Sequence, residues 1–134
     1  MRADGMPRLT KNESTTRAQA IQAALKKATL VPMRCCHACR EVITIVAEKG
    51  NRNVVSDAGV AAEAAYAALR SAALNVFTNA RAMTDRLFAE IQLSELEQLL
   101  SEAASATEAS YEVVKKEARL IVPAGRWKEN DQAK

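Results

Sequence analysis

The chain has 134 residues and a formal net charge of +3, with 49% hydrophobic and 26% charged side chains. These proportions exclude wholesale disorder, and the length points to a single domain. No apolar run approaches the ~18 residues that cross a bilayer, and no apolar block opens the chain, so it reads as soluble and cytoplasmic with no membrane partner.

Few glycines and prolines interrupt a sequence dominated by alanine, the best helix former, which predicts an all-α fold. The expected architecture is an antiparallel helical bundle of four main helices, one of them long and central. Residues 1–15 read as a polar, disordered leader, 16–122 as the helical domain and 123–134 as a polar tail. A first helix is predicted over 16–30, with Ile21, Ala24, Leu25 and Ala28 on one face. Pro32 then ends or kinks it, because proline lacks the N–H and disfavours helical geometry before it. In the second helix Cys35, Ala38, Cys39, Val42, Ile45 and Val46 form an apolar stripe opposite His37, Glu41, Thr44 and Glu48. Gly50-Asn51 closes it.

After the connection 51–55, Ser56 is a plausible N-cap with Asp57 in the first turn. The third helix is predicted to run unbroken to about Gln92, on the order of 50 Å. Ser94-Glu95-Leu96-Glu97 has the form of a capping box that opens a fourth helix. Leu96, Leu100, Ala103, Thr107, Tyr111 and Val114 lie along its inner side, and Pro123 stops it.

Residues 1–40 carry eight basic side chains against Asp4 and Glu13. Aromatic residues are only 4% of the chain, so there is no stacking platform for bases, and no nucleic-acid partner is expected. The Cys35-Cys36-His37-Ala38-Cys39 run lacks the second ligand cluster of a zinc site, and no metal site is expected. On a helix Cys35 and Cys39 point inward as reduced packing residues and His37 points away, paired with Glu41. In the long helix one face carries Asp57, Ala61, Ala64, Ala68, Ser71, Asn75, Asn79 and Ala82. Two readings of this seam stand: an interhelical hydrogen-bond network that sets register, or a polar pocket with Asp57 as proton acceptor. A helix this long in so short a chain predicts a homodimer or higher homo-oligomer.

Residues 23–32 (Ala-Ala-Leu-Lys-Lys-Ala-Thr-Leu-Val-Pro), then 50–62 (Gly-Asn-Arg-Asn-Val-Val-Ser-Asp-Ala-Gly-Val-Ala-Ala) and 73–79 (Ala-Leu-Asn-Val-Phe-Thr-Asn) closely resemble the cyclodeaminase/cyclohydrolase family. The family includes the C-terminal domain of formiminotransferase-cyclodeaminase and stand-alone methenyltetrahydrofolate cyclohydrolases. The resemblance spans roughly residues 17–120. It implies a dimeric, all-helical domain acting on a one-carbon unit of a tetrahydrofolate derivative, which is substrate rather than resident cofactor. Asp57 is the implied catalytic carboxylate. Asn51, Asn53, Ser56, Asn75 and Asn79 are implied substrate contacts, and Lys26 and Lys27, with Arg34, are set to meet the glutamyl tail. The chain departs from the family in lacking a Gly-Gly-Gly-Ser-like turn and the helices expected before the matched part. A truncated or split domain is the expectation, with a partner chain supplying the missing helices. The alternative is a non-catalytic helical dimerisation or binding module.

Overall fold

Thr10 and Glu13 start the first helix by capping each other. The Glu13 carboxylate accepts from the Thr10 amide at 2.7 Å, and the Thr10 hydroxyl accepts from the Glu13 amide at 3.2 Å. That backbone hydrogen bond, before the one from the Thr10 hydroxyl, holds the Glu13 carboxyl below its ordinary pKa. The computed structural model describes residues 9–49 and 55–119. They form three helices, α1 (Lys11–Lys49), α2 (Val55–Ala82) and α3 (Arg86–Ala118), with no strand among the described residues. The fold is all-α as expected, with three helices in place of four.

Two local rules fail here. Pro32 lies inside α1, so the helix expected over 16–30 and the second one expected after Pro32 are one. A proline removes one backbone donor and crowds one turn, a local cost that packing along the rest of a 39-residue helix outweighs. The helix also begins at Lys11, within the stretch expected as a leader, while residues 1–8 and the tail 123–134 lie outside the described residues. The second failure is in the expected long helix, which stops at Ala82 and restarts at Arg86 with neither glycine nor proline at the break.

Side chains make that break. Asp85 is the N-cap of α3, its carboxylate accepting from the Phe88 amide at 3.0 Å. The Gln22 amide bridges both sides, donating to the Ala82 carbonyl at 3.2 Å and accepting from the Thr84 amide at 2.9 Å. Arg86 donates to the Ala80 carbonyl at 2.9 Å, satisfying an end group of α2. Ser94 to Glu97, the expected cap, lie inside α3.

Contacts between Gln22 and Ala82 and between Cys36 and Leu69 set α1 antiparallel to α2. His37–Glu95 and Arg40–Glu102 pairs set α1 parallel to α3. The core is small-residue rich: Met33, Cys36, Ile43, Ala62, Leu69, Ala72, Ala73, Val76, Leu96, Leu99 and Ala103. A satellite of Ala80, Met83 and Ala89 lies under the turn.

The buried face of α1 is therefore Thr29, Met33, Cys36 and Ile43; of the apolar stripe expected inward, Cys39 and Val46 pack half-buried against the core, while Cys35, Ala38, Val42 and Ile45 are exposed. Cys35 is exposed and Cys39 half-buried, whereas Cys36 is fully buried. Burial pushes the Cys36 thiol up to about 11, and it donates to the Leu69 carbonyl at 3.6 Å. His37 pairs through Nε2 with Glu95 of α3 at 2.9 Å, in place of the expected Glu41.

Candidate functional site: a cleft where the second helix begins

At the start of α2 the three helices leave an apolar cleft. One side, of about 90 Å³, is lined by Val46, Ala47, Val55, Ala58, Gly59, Ala109, Ser110 and Val113. The adjoining side is lined by Ser56, Gly59, Val60, Glu63, Ala64, Tyr111 and Val114. Gly59 belongs to both. A Cβ there would lie 2.8 Å from Val114 Cγ2, so glycine is what lets α2 approach α3 this closely. Ser56 and Asp57 stand exposed in the first turn of α2, where the positive end of the helix dipole attracts a carboxylate. Apolar walls carrying a few polar groups, here Ser56, Glu63, Ser110 and Tyr111, are the usual form of a small-molecule site.

Ser56 lines this cleft and Asp57 follows it in the same turn, whereas Asn75, Asn79, Lys26 and Lys27 do not join it within one chain. Asn75 is five turns further along the Asp57 face of α2, about 27 Å away, and Asn79 lies beyond it. Asn75 is exposed, and Asn79, three residues past buried Val76, is half-buried. The seam from Asp57 to Ala82 is thus an outer face of α2, which removes the reading of it as an interhelical network within the chain.

Lys26 sits at the far end of the bundle, about 37 Å from Asp57 along α2. Its ammonium donates to Asp85 at 2.5 Å and lies 5.3 Å from the Phe88 ring centroid. The Lys26 hydrogen bond, with that of the Phe88 amide, holds the Asp85 carboxyl below its usual range. Lys27 and Arg34 are exposed on α1. Asn51 and Asn53 lie outside the described residues. The residues that sequence reasoning missed are Gly59, Glu63 and Ser110 as cleft walls, and Tyr111, which belongs to the cleft rather than the core. Only the contact between distant helices reveals them.

Among the described residues no group of three or more His, Cys, Asp or Glu is placed to hold a metal ion, and no helix is long and apolar enough to cross a membrane.

A small all-helical domain with an apolar cleft at a helix start describes a class, and sequence comparison narrows it. The formiminotransferase-cyclodeaminase profile matches residues 1–98, and the chain belongs to that family. It is 59% identical over 118 residues to the methenyltetrahydrofolate cyclohydrolase of Methylorubrum extorquens, covering 86% of this chain and 57% of that protein. It is 33% identical over 101 residues to mouse formimidoyltransferase-cyclodeaminase and 32% identical to the rat protein, in each case covering 73% of this chain and 19% of the relative. The chain thus spans little more than half the length of the cyclohydrolase and about a fifth of the cyclodeaminases.

Proposed function

We propose that this chain takes part in folate one-carbon chemistry, as all or part of a methenyltetrahydrofolate cyclohydrolase, with the cleft at the start of α2 receiving the one-carbon end of the substrate. The 59% identity to a cyclohydrolase carries this reading over the cyclodeaminase one, where identity is 33%. In the proposed reaction a water oxygen adds to the methenyl carbon, whose cationic charge spreads over its two flanking nitrogens. Asp57, exposed and free of any described ion pair, accepts the water proton. The added hydroxyl then gives up its remaining proton as its oxygen becomes the formyl carbonyl, and the carbon–nitrogen bond breaks. The released nitrogen takes up one proton, and the open formyl compound leaves with the other proton passed to solvent. Ser56 and Tyr111 supply hydroxyls at the cleft rim for the developing oxygen charge.

Asn75, Asn79, Lys26 and Lys27 stand too far from Asp57 to serve the same substrate molecule within one chain. We infer that they contact folate only in an assembly, either a homo-oligomer or a complex with a chain that supplies further helices. The three reduced cysteines suit a reducing, cytoplasmic compartment.

Loss of methenyltetrahydrofolate absorbance tests the proposal. Asp57→Asn is expected to slow turnover by about a hundredfold or more. Equal rates for the variant and the parent chain remove Asp57 from the mechanism. A second reading, a non-catalytic helical binding module, is favoured by the large apolar side chains left on the outer faces, such as Leu74 at 67% exposure. No turnover from the parent chain, alone or with added family members, establishes that reading instead.

A further inference from the structure

Two of the chain's three cysteines stand together on α1, one turn apart and clear of the cleft. Cys35 Sγ and Cys39 Sγ are 4.0 Å apart. Cys39 is half-buried and packs against the core, which fixes its sulfur, while Cys35 is exposed and can turn to meet it. Cys36 is no third member, since its thiol is buried and donates to the Leu69 carbonyl. His37 is engaged elsewhere, its Nε2 on Glu95 of α3.

Geometry separates three uses of such a pair. A disulfide needs its two Cβ atoms about 3.5–4.5 Å apart, whereas residues i and i+4 of a helix hold theirs about 5–6 Å apart. A direct sulfur–sulfur bond would therefore unwind a turn of α1. A zinc-like cation takes four ligands, and among the described residues no group of three or more His, Cys, Asp or Glu is placed to hold one. A bridging atom that needs only two thiols fits. Bonds of about 2.3 Å, the length of a zinc–sulfur bond, from one central atom leave two sulfurs about 3.3–4.6 Å apart according to the angle. The observed 4.0 Å lies inside that range with the helix intact.

We propose that Cys35 and Cys39 form a chelating dithiol site for a trivalent arsenical with one carbon substituent, R–As(OH)2. Each sulfur forms a bond to arsenic, each arsenic–oxygen bond breaks, and each thiol proton leaves with the hydroxyl as water. Arsenic stays trivalent, and no proton passes to solvent. That balance suits the pair. Burial first, and then the neighbouring Cys35, holds the Cys39 thiol above its ordinary pKa, so it enters protonated, whereas a cation would require the thiolate. The absence of a third accessible thiol selects a monosubstituted arsenical over arsenite, which takes three sulfurs. Val31 and Val42 stand exposed one turn to either side of the pair, so an aromatic substituent finds apolar surface on both sides.

Titration of the reduced 134-residue chain with phenylarsine oxide, followed by intact mass, tests the site. One equivalent is expected to add, with the mass of the hydrated arsenical less two waters and with helical circular dichroism unchanged. Cys35→Ser and Cys39→Ser are each expected to weaken binding by about a hundredfold or more, because one sulfur replaces a chelate. Cys36→Ala is expected to keep the parental affinity. Alkylation mapping of the parent chain gives the same answer without substitution, bound arsenical protecting Cys35 and Cys39 together. The proposal is overturned by a parent chain that takes up no equimolar arsenical, or by either serine variant binding as tightly as the parent. Protection of Cys35 together with Cys36 overturns the pairing. Removal of the adduct by glutathione as readily as by ethanedithiol overturns the chelate, and displacement by equimolar zinc overturns the choice of ligand. None of these readouts involves Asp57 or folate.

Discussion

The two ends of the bundle are built by different means. At the turn between α2 and α3, Gln22, Lys26, Asp85 and Arg86 form a closed polar set in which helix-end groups and side chains satisfy one another. At the start of α2 the helices meet over alanines, valines and Gly59, and the cleft stays open. Polar satisfaction specifies a turn and leaves no room for a ligand. Small apolar walls specify only an approach distance, and wherever that distance is not filled a site remains. The closed end holds the fold's connectivity, and the open end is the proposed place of the substrate.

The strongest way to break this contrast is to fill the open end. Gly59→Leu drives a branched side chain into Val114 and is expected to destabilise the fold by about 2 kcal/mol, read by denaturant titration. The same change is expected to abolish folate-dependent thermal stabilisation, because it occupies the cleft.

A smaller effect is expected at the closed end. Asp85→Ala removes the α3 cap and the Lys26 partner, and the melting temperature should fall by less than for Gly59→Leu. Its signature is in the pH dependence. The Asp85 pKa is depressed in the folded state, so its contribution is complete above the ordinary carboxylate pKa and fades as pH falls through the lowered folded value. Parent and variant melting temperatures should therefore converge in acid below about pH 4. A constant difference across that range removes the Lys26–Asp85 pair as its source.

The smallest change sharpens the picture between the ends. Thr107 is buried on α3, and its hydroxyl has no partner among the described residues. Thr107→Val keeps the shape and removes the buried polar atom, and is expected to raise stability by about 0.5–1 kcal/mol. A loss of stability would show that the hydroxyl is satisfied.

Much of the fold is legible in the sequence at the level of class. The alanine content and the rarity of glycine and proline give helices, and Ser56-Asp57 falls in the first turn of α2, although the helix begins at Val55, so that Ser56 lies inside it and is not the expected cap. Pro32 was misleading because its penalty is local while the packing that overrides it extends along all of α1. The break at 83–85 was hidden because its decisive partners, Gln22 and Lys26, are about sixty residues away in the chain. The capping box at 94–97 was false for the complementary reason: a cap needs a helix end, and those residues lie within a continuous helix.

The site shows the same division. Ser56, a cleft wall, was readable from its helix-start pattern, and Asp57, the proposed base, from the family resemblance. Glu63, Ser110 and Tyr111 were not, since nothing local marks them as neighbours of a cleft. The grouping of Asp57 with Asn75 and Lys26 followed a shared face and a shared family, and helix length alone separates them.

By itself the sequence determined the all-helical character, the family and the periodicity of every apolar face, because helix propensity and 3.6-residue spacing are local properties. Only the tertiary structure decided which of two apolar faces of α1 is core. Periodicity reports that a face is apolar, whereas burial depends on which other helix arrives there. The inner face succeeds with Thr29 and Cys36 among its residues, each satisfied by a backbone carbonyl, and so it was free to look less hydrophobic than the face it leaves outside.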